Sequence, residues 1–309
     1  MNHQLAQTLH GKQLLETLGN RADLSSLRQA NLDSCHLDTF PTNILRLTNL
    51  SLLSLYDNQL TGIPGGIADL HSLQTLNLAQ NELDSVPDSL GSLTHLEMLD
   101  LGHNRLSHLP DNFGALARLS FLYLSNNQLS HLPPSLAGLS QLRYLNITDN
   151  QFEELPSWIG GFSQLLELRL YNNGLTTLPA EIGRLSNLRE LHANKNQINT
   201  LPDTIGQLSS LTILNLQANQ LTQLPETIGE LSHLTTLDCR FNRLSALPDT
   251  ITRLHALEYL DLRANQLTHL PDDLPEMTHL RKLDLRWNRL ETYPQTLNIL
   301  SQQGCIVYT

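Results

Sequence analysis

The chain has 309 residues, 40% of them hydrophobic, and carries a net charge of −11 from 30 acidic and 19 basic side chains. That balance excludes a surface built for nucleic acid or an anionic membrane, both of which need basic charge. No 18-residue apolar run or signal-peptide-like stretch appears, so neither membrane insertion nor conventional secretion is expected.

From the N-terminus, residues 1–23 read as a helical cap: Leu5, Leu9, Leu14, Leu15 and Leu18 approximate one apolar face, interrupted near Gly11. A strict period begins at residue 24. Leu50, Leu53, Leu55, Asn58, Leu60, Ile63-Pro64, Ile67 and Leu70 form one unit before Leu73 starts the next. Asn58, Asn81, Asn104, Asn127, Asn150, Asn173, Asn196, Asn219, Asn242, Asn265 and Asn288 fall 23 residues apart throughout, and twelve prolines from Pro41 to Pro294 keep the same beat. In Leu53-Ser54-Leu55 apolar and polar residues alternate, the period of a strand with one buried face. Each repeat therefore donates one strand to a parallel sheet, and residues 24–302 hold twelve repeats. Cys35, one period before Asn58, places a thiol at the asparagine position of the first, degenerate repeat. The asparagine amide offers two donors and an acceptor for buried backbone groups in neighbouring turns. The proline, with fixed φ and no N–H, suits an extended segment outside the sheet, where helix is not required. Gly91, Gly160, Gly183, Gly206 and Gly229 fit tight bends or close approaches there. Residues 303–309 read as a terminal strand, with Ile306 and Tyr308 in phase with Leu283 and Leu285. Its edge is tolerated as it stands, pairs with a second copy, or is covered by a longer chain.

The pattern L-x-x-L-x-L-x-x-N-x-L-x-x-[LI]-P-x-x-[IL]-G-x-L resembles the leucine-rich repeat family. Within it, the likeness is to the 23-residue class found in Erbin-, Scribble- and Ras-pathway-type intracellular scaffolds, plant Ras-group-related proteins and bacterial proteins. The resemblance implies an α/β horseshoe solenoid with a parallel concave sheet, and a non-enzymatic scaffold or recognition module binding a protein or peptide on that face. An alternative is the substrate-recognition module of a larger enzyme or secreted effector, as in bacterial ubiquitin-ligase effectors or receptor-like kinases. Extracellular members usually carry disulfide-rich caps; here the cysteines are Cys35, Cys239 and Cys305, which points to the cytoplasm.

Specificity is expected where the repeats differ, on the outward positions of the strands. Met98, Phe121, Tyr123 and Tyr144 gather as an aromatic patch extended by Arg169 and Tyr171, residue types that anchor interfaces. Aromatics also stabilise strands by cross-strand contact, so both readings stand. Asp238, Asp261 and Asp284 run beside Arg240, Arg263 and Arg286, with Phe241 and Trp287 at the edge. That double ladder is either self-compensating or a docking site for acidic groups. His192 and Tyr259 complete the candidate partner-binding set.

Catalysis and cofactors find no support. The phosphate-binding loop, the dinucleotide glycine fingerprint, the H-E-x-x-H helix and paired cysteine ligands are all missing. Cys239 occupies a core phase. His108 and His131 stack in adjacent repeats without a third ligand, so no metal is assigned.

Overall fold

The computed structural model describes residues 8–19, 24, 26–290 and 295–309. Leu5 and Pro294 lie outside them. The chain forms two compact units, Met1–Gln151 and Phe152–Thr309.

In the first unit β1 (Thr8–His10) leads into α1 (Gly11–Gly19), followed by β2 (Gln29–Asn31), β3 (Leu52–Ser54), β4 (Thr75–Asn77), β5 (Met98–Asp100), β6 (Phe121–Tyr123) and β7 (Tyr144–Asn146). Each strand pairs in parallel with the next, which aligns Ala30, Leu53, Leu76, Leu99, Leu122 and Leu145. The second unit holds β8 (Glu167–Arg169), β9 (Glu190–His192), β10 (Ile213–Asn215), β11 (Thr236–Asp238), β12 (Tyr259–Asp261), β13 (Lys282–Asp284), α2 (Gln295–Gln302) and β14 (Ile306–Tyr308). Its strands pair in the same way, aligning Leu168, Leu191, Leu214, Leu237, Leu260 and Leu283. These leucines are buried, while their strand neighbours point outward. The fold is an open leucine-rich-repeat solenoid built on parallel strands.

Opposite the strands, most repeats make one turn of 3-10 helix, such as Asp203–Gln207 and Glu226–Glu230. The expected proline precedes it in extended conformation: Pro202 has φ −69 and ψ 146, and its carbonyl accepts the N–H of Ile205 at 2.9 Å. The glycines mark close approach. A Cβ on Gly206 would stand 2.3 Å from the carbonyl oxygen of Thr227, so the adjacent turn could not nest against any other residue there.

The asparagine ladder joins each turn to its predecessor. Asn219 Nδ2 donates to the carbonyls of Ala193 and Leu216, both at 3.0 Å, and its Oδ1 accepts the N–H of Ile198 at 3.0 Å. The same three-way arrangement recurs at Asn81, Asn104, Asn196, Asn242 and Asn265, all buried. At the first rung Cys35 Sγ donates to the carbonyl of Asp33 at 3.5 Å, so the thiol does serve as a donor in place of the amide. The chain reaches this position by a left-handed residue directly before each rung, from Asp57 (φ 55) through Ala218 (φ 54) and Ala264 (φ 52) to Trp287 (φ 61). None of these is glycine.

The ends depart from the sequence reading in two ways. Where the leucine spacing suggests a helix over 2–19, the described residues form β1 and only then α1, with Gly11 at φ +53 turning the chain between them. β1 pairs with β2 and extends the sheet by one strand before the first repeat. At the other end, Ile306 and Tyr308 do not align with Leu283 and Leu285. They pair with the outward residues Lys282 and Asp284, and they are 57% and 41% exposed. The step from Lys282 to Ile306 is 24 residues because α2 replaces the 3-10 turn. An α-helix rises about 1.5 Å per residue against about 2.0 Å for 3-10, so it takes up more chain over the same span. One added residue moves every side chain of the next strand to the opposite face.

Two stability tests follow from the ladder. Asn219→Ala orphans two buried carbonyls and one N–H and is expected to cost about 3 kcal/mol in urea unfolding. Ala264→Gly relieves a left-handed alanine and is expected to gain about 0.5 to 1 kcal/mol; a lower midpoint would contradict the left-handed turn.

Candidate binding face

The outward side chains of the first unit are polar on β2 to β4, apart from Leu52, while β5 to β7 bring in Met98, Phe121, Tyr123 and Tyr144 alongside Asp100 and Asn146. Met98, Phe121 and Tyr144 are aligned on consecutive strands, and Tyr123 sits two residues along from Phe121 on the same face. The Tyr123 and Tyr144 rings lie with centroids 4.8 Å apart at 37°. Phe121 is 40% exposed. Asp100, opposite Tyr123, is pushed up by burial, an effect partly offset by the Gly102 N–H and by His103. An aromatic surface with a single half-buried carboxylate is suited to apolar anchors from a partner.

Arg169 and Tyr171 belong to the second unit. There Arg169 pairs with Glu167 beside it, and His192 Nε2 lies 2.9 Å from Glu190 Oε2. The Asp/Arg double ladder is closed on itself. Arg240 reaches Asp238 at 3.1 Å and Asp261 at 3.9 Å. Arg263 reaches Asp261 at 2.6 Å and Asp284 at 3.4 Å, and Arg286 reaches Asp284 at 2.7 Å. Of the two sequence readings, this geometry matches the self-compensating one. The carboxylates also do a second job. Asp238 and Asp261 accept the backbone N–H two residues on, as Asn77, Asp100, Asn146 and Asn215 do at equivalent positions. The sequence carried a signal for this, since Asn or Asp recurs in that column just before the left-handed turn.

Burial by itself would raise the Asp284 carboxyl. The side-chain and backbone bonds from Arg286, with the charges of Arg263 and Arg286, outweigh it and hold the group below the usual carboxylate range. Burial wins at Asp238, which is raised despite the Arg240 N–H and charge. Beside the ladder, Tyr259 is exposed and lines a cavity of about 250 Å³ with Thr236, Asp238, Asp261 and Lys282. Trp287 is 67% exposed and lies 6.4 Å from the Phe241 ring, with the Arg286 guanidinium 5.9 Å from Trp287 and 5.1 Å from the Tyr308 ring.

Cys239 is fully buried and its thiol is pushed far up by desolvation and by the neighbouring Asp238 and Asp261, so it is not a nucleophile. His108 and His131 are exposed and bond locally to Ser107 and Ser130. Among the described residues, the ligating atoms of one histidine and two acidic residues do gather within 4.8 Å of one another: Glu167, Glu190 and His192.

Family models described as leucine rich repeat match residues 25–83, 75–129 and 110–152, and models described as leucine-rich repeat region match 134–216 and 204–303. The chain belongs to the leucine-rich repeat family. Among solved structures, this leucine-rich repeat protein is similar to one from Leptospira interrogans, with 29% identity and a TM-score of 0.69 over 98% of this chain and 90% of that one. It is also similar to the Arabidopsis receptor kinase HAESA, solved with the peptide hormone IDA and the co-receptor SERK1, with 29% identity and a TM-score of 0.65. That match covers 86% of this chain and 55% of HAESA, so the chain spans about half of the receptor's length. An internalin of Listeria monocytogenes shares the fold at 23% identity and a TM-score of 0.73, covering 96% of this chain and 94% of that one. Among curated proteins, none matches.

Because the folded-state value of Asp284 is depressed, its stabilisation is present above the ordinary carboxylate range and is lost as pH falls through the lowered one. Asp284→Asn is therefore expected to cost about 1 to 2 kcal/mol at pH 7, because the carboxylate is buried but its partner Arg286 remains 39% exposed. The gap to the parent protein, measured by denaturant melts, should narrow below about pH 4. A gap independent of pH would show that the charge of Asp284 does not contribute.

Proposed function

We propose that this protein is a non-enzymatic recognition module that binds a protein or peptide on the outward face of its strands, the face expected from sequence to be concave. The observation that carries the reading is the aromatic column of Met98, Phe121 and Tyr144 with Tyr123 beside it. Cross-strand stacking accounts for the Tyr123–Tyr144 contact. It does not account for Phe121, whose ring stays 40% exposed between Met98 and Tyr144. HAESA and PEPR1, both similar in fold, were solved with IDA and AtPEP1, and this supports a peptide or protein partner.

In the second unit, Tyr171, His192, Tyr259, Arg240, Arg263, Arg286 and Trp287 are the further contact candidates. Their contribution is directional rather than purely charge-based, since the arginines already hold carboxylates. The setting we propose is the cytoplasm, as a scaffold in signal transduction, in keeping with three free cysteines and an acidic surface. A second reading, the recognition part of a larger enzyme, is favoured by the receptor-kinase likeness, where this chain matches about half of HAESA. An open reading frame continuing past Thr309 into a catalytic domain would support it, and a stop codon there would exclude it.

The test is capture from whole-cell lysate with the intact protein and with a folded Phe121→Ala, Tyr123→Ala, Tyr144→Ala variant, the retained proteins being identified by mass spectrometry. A partner held through these rings should lose at least about 2 kcal/mol, or roughly thirtyfold in affinity, in the variant. Equal capture by both proteins would remove the aromatic column from the binding site.

A further inference from the structure

The geometry points to a divalent metal site on β8 and β9, formed by Glu167, Glu190 and His192 and suited to Zn²⁺ or another first-row cation that accepts imidazole. It goes beyond peptide recognition and stands independently of it.

Glu167 and Glu190 are direct partners across the parallel pair, and Arg169 is paired with His192 one position further along the same face. Like charges placed directly opposite at strand spacing repel each other, so this arrangement carries a cost that must be offset, as the arginines offset it for Asp238, Asp261 and Asp284. In the same column Ile213 and Thr236 follow on the next strands without charge. The two carboxylates are relieved locally and unequally. Arg169 holds Glu167, and the imidazole of His192 holds Glu190 with Nε2 2.9 Å from Oε2. All three side chains are half-buried, on rigid strands rather than loops.

One nitrogen and two carboxylate oxygens lie within 4.8 Å of one another. A cation bound at about 2.0 to 2.2 Å from each ligand needs them roughly 3 to 3.6 Å apart, which side-chain rotation on fixed strands can supply. The His192–Glu190 separation already meets that requirement. One imidazole and two carboxylates neutralise a divalent charge, and three protein ligands leave a coordination position for water or for a donor from outside. Binding converts the repulsion between Glu167 and Glu190 into shared coordination, replacing the hydrogen bond between His192 and Glu190. The guanidinium of Arg169 is the built-in competitor, because it occupies Glu167 and adds positive charge beside the cation. The sequence motif is a glutamate, a second glutamate 23 residues on and a histidine two beyond that. No local metal signature has that spacing, because the repeat rather than a loop closes the distance.

The experiment is calorimetric titration of the full chain with Zn²⁺ and, separately, Mg²⁺ under reducing conditions. It is repeated on Glu190→Gln/His192→Ala and on Arg169→Gln, each checked for folding by circular dichroism. The site predicts a one-to-one Zn²⁺ isotherm, weakened at least about tenfold in the double variant and strengthened in Arg169→Gln, with Mg²⁺ binding at least about tenfold weaker than Zn²⁺. Zn²⁺ bound equally by the intact protein and the double variant would place the metal on other histidines or cysteines and overturn the assignment. Equal affinity for Mg²⁺ and Zn²⁺ would exclude the imidazole as a ligand, and no Zn²⁺ binding at about 100 μM would overturn the site altogether.

Discussion

One side-chain amide per repeat does what the backbone of a stacked turn cannot do for itself. After each strand the chain leaves the sheet's hydrogen-bonding pattern while still in the core, and its carbonyl and N–H groups would be orphaned there at about 1 to 3 kcal/mol each. The asparagine supplies two donors and an acceptor at once, to its own turn and to the preceding one. It therefore sets the repeat length as well as satisfying the turn, because the carbonyl 26 residues back and the N–H 21 residues back must both come within reach. The left-handed residue before it, the extended proline and the closely nested glycine are consequences of bringing those groups together.

With the interior so constrained, variation is confined to the outward columns, but those columns are not free either. The Asn and Asp residues that end the strands accept the N–H two residues on, which shapes the start of the turn. The aspartates at 238, 261 and 284 are therefore structural before they are electrostatic, and the arginines beside them neutralise a ladder that the turn had already called for. An arginine held by two carboxylates on neighbouring strands offers a partner direction and hydrogen-bonding shape more than net charge. The aromatic side chains of the first unit offer no such acceptor to the turn, and that difference supports their proposal as a contact surface.

The terminal strand shows how much one residue can change. α2 takes up a residue more than a 3-10 turn does, and Ile306 and Tyr308 come to face outward beside Lys282 and Asp284. Tyr308 then lies over the Arg286 guanidinium and under Lys282, so the last strand contributes to the cationic and aromatic end of the face instead of to the core.

The repeat period, the strand positions, the buried leucines and the asparagine ladder were all legible in the sequence, because each depends on residues a fixed distance apart that recur many times. The aromatic and Asp/Arg columns were legible for the same reason. The left-handed turn was not, since residues as unlike as Asp57, Ala218 and Trp287 adopt it under the constraint of the rung that follows. Nor was the strand at Thr8–His10, where three residues find their conformation by pairing with β2 rather than by any local pattern. Only the tertiary structure decided which carboxylate each arginine holds, which face Ile306 takes, and that Glu167, Glu190 and His192 meet. Those outcomes depend on strand register and side-chain direction, which set distances of a few ångströms between residues far apart in the chain, while periodicity specifies only which positions share a face.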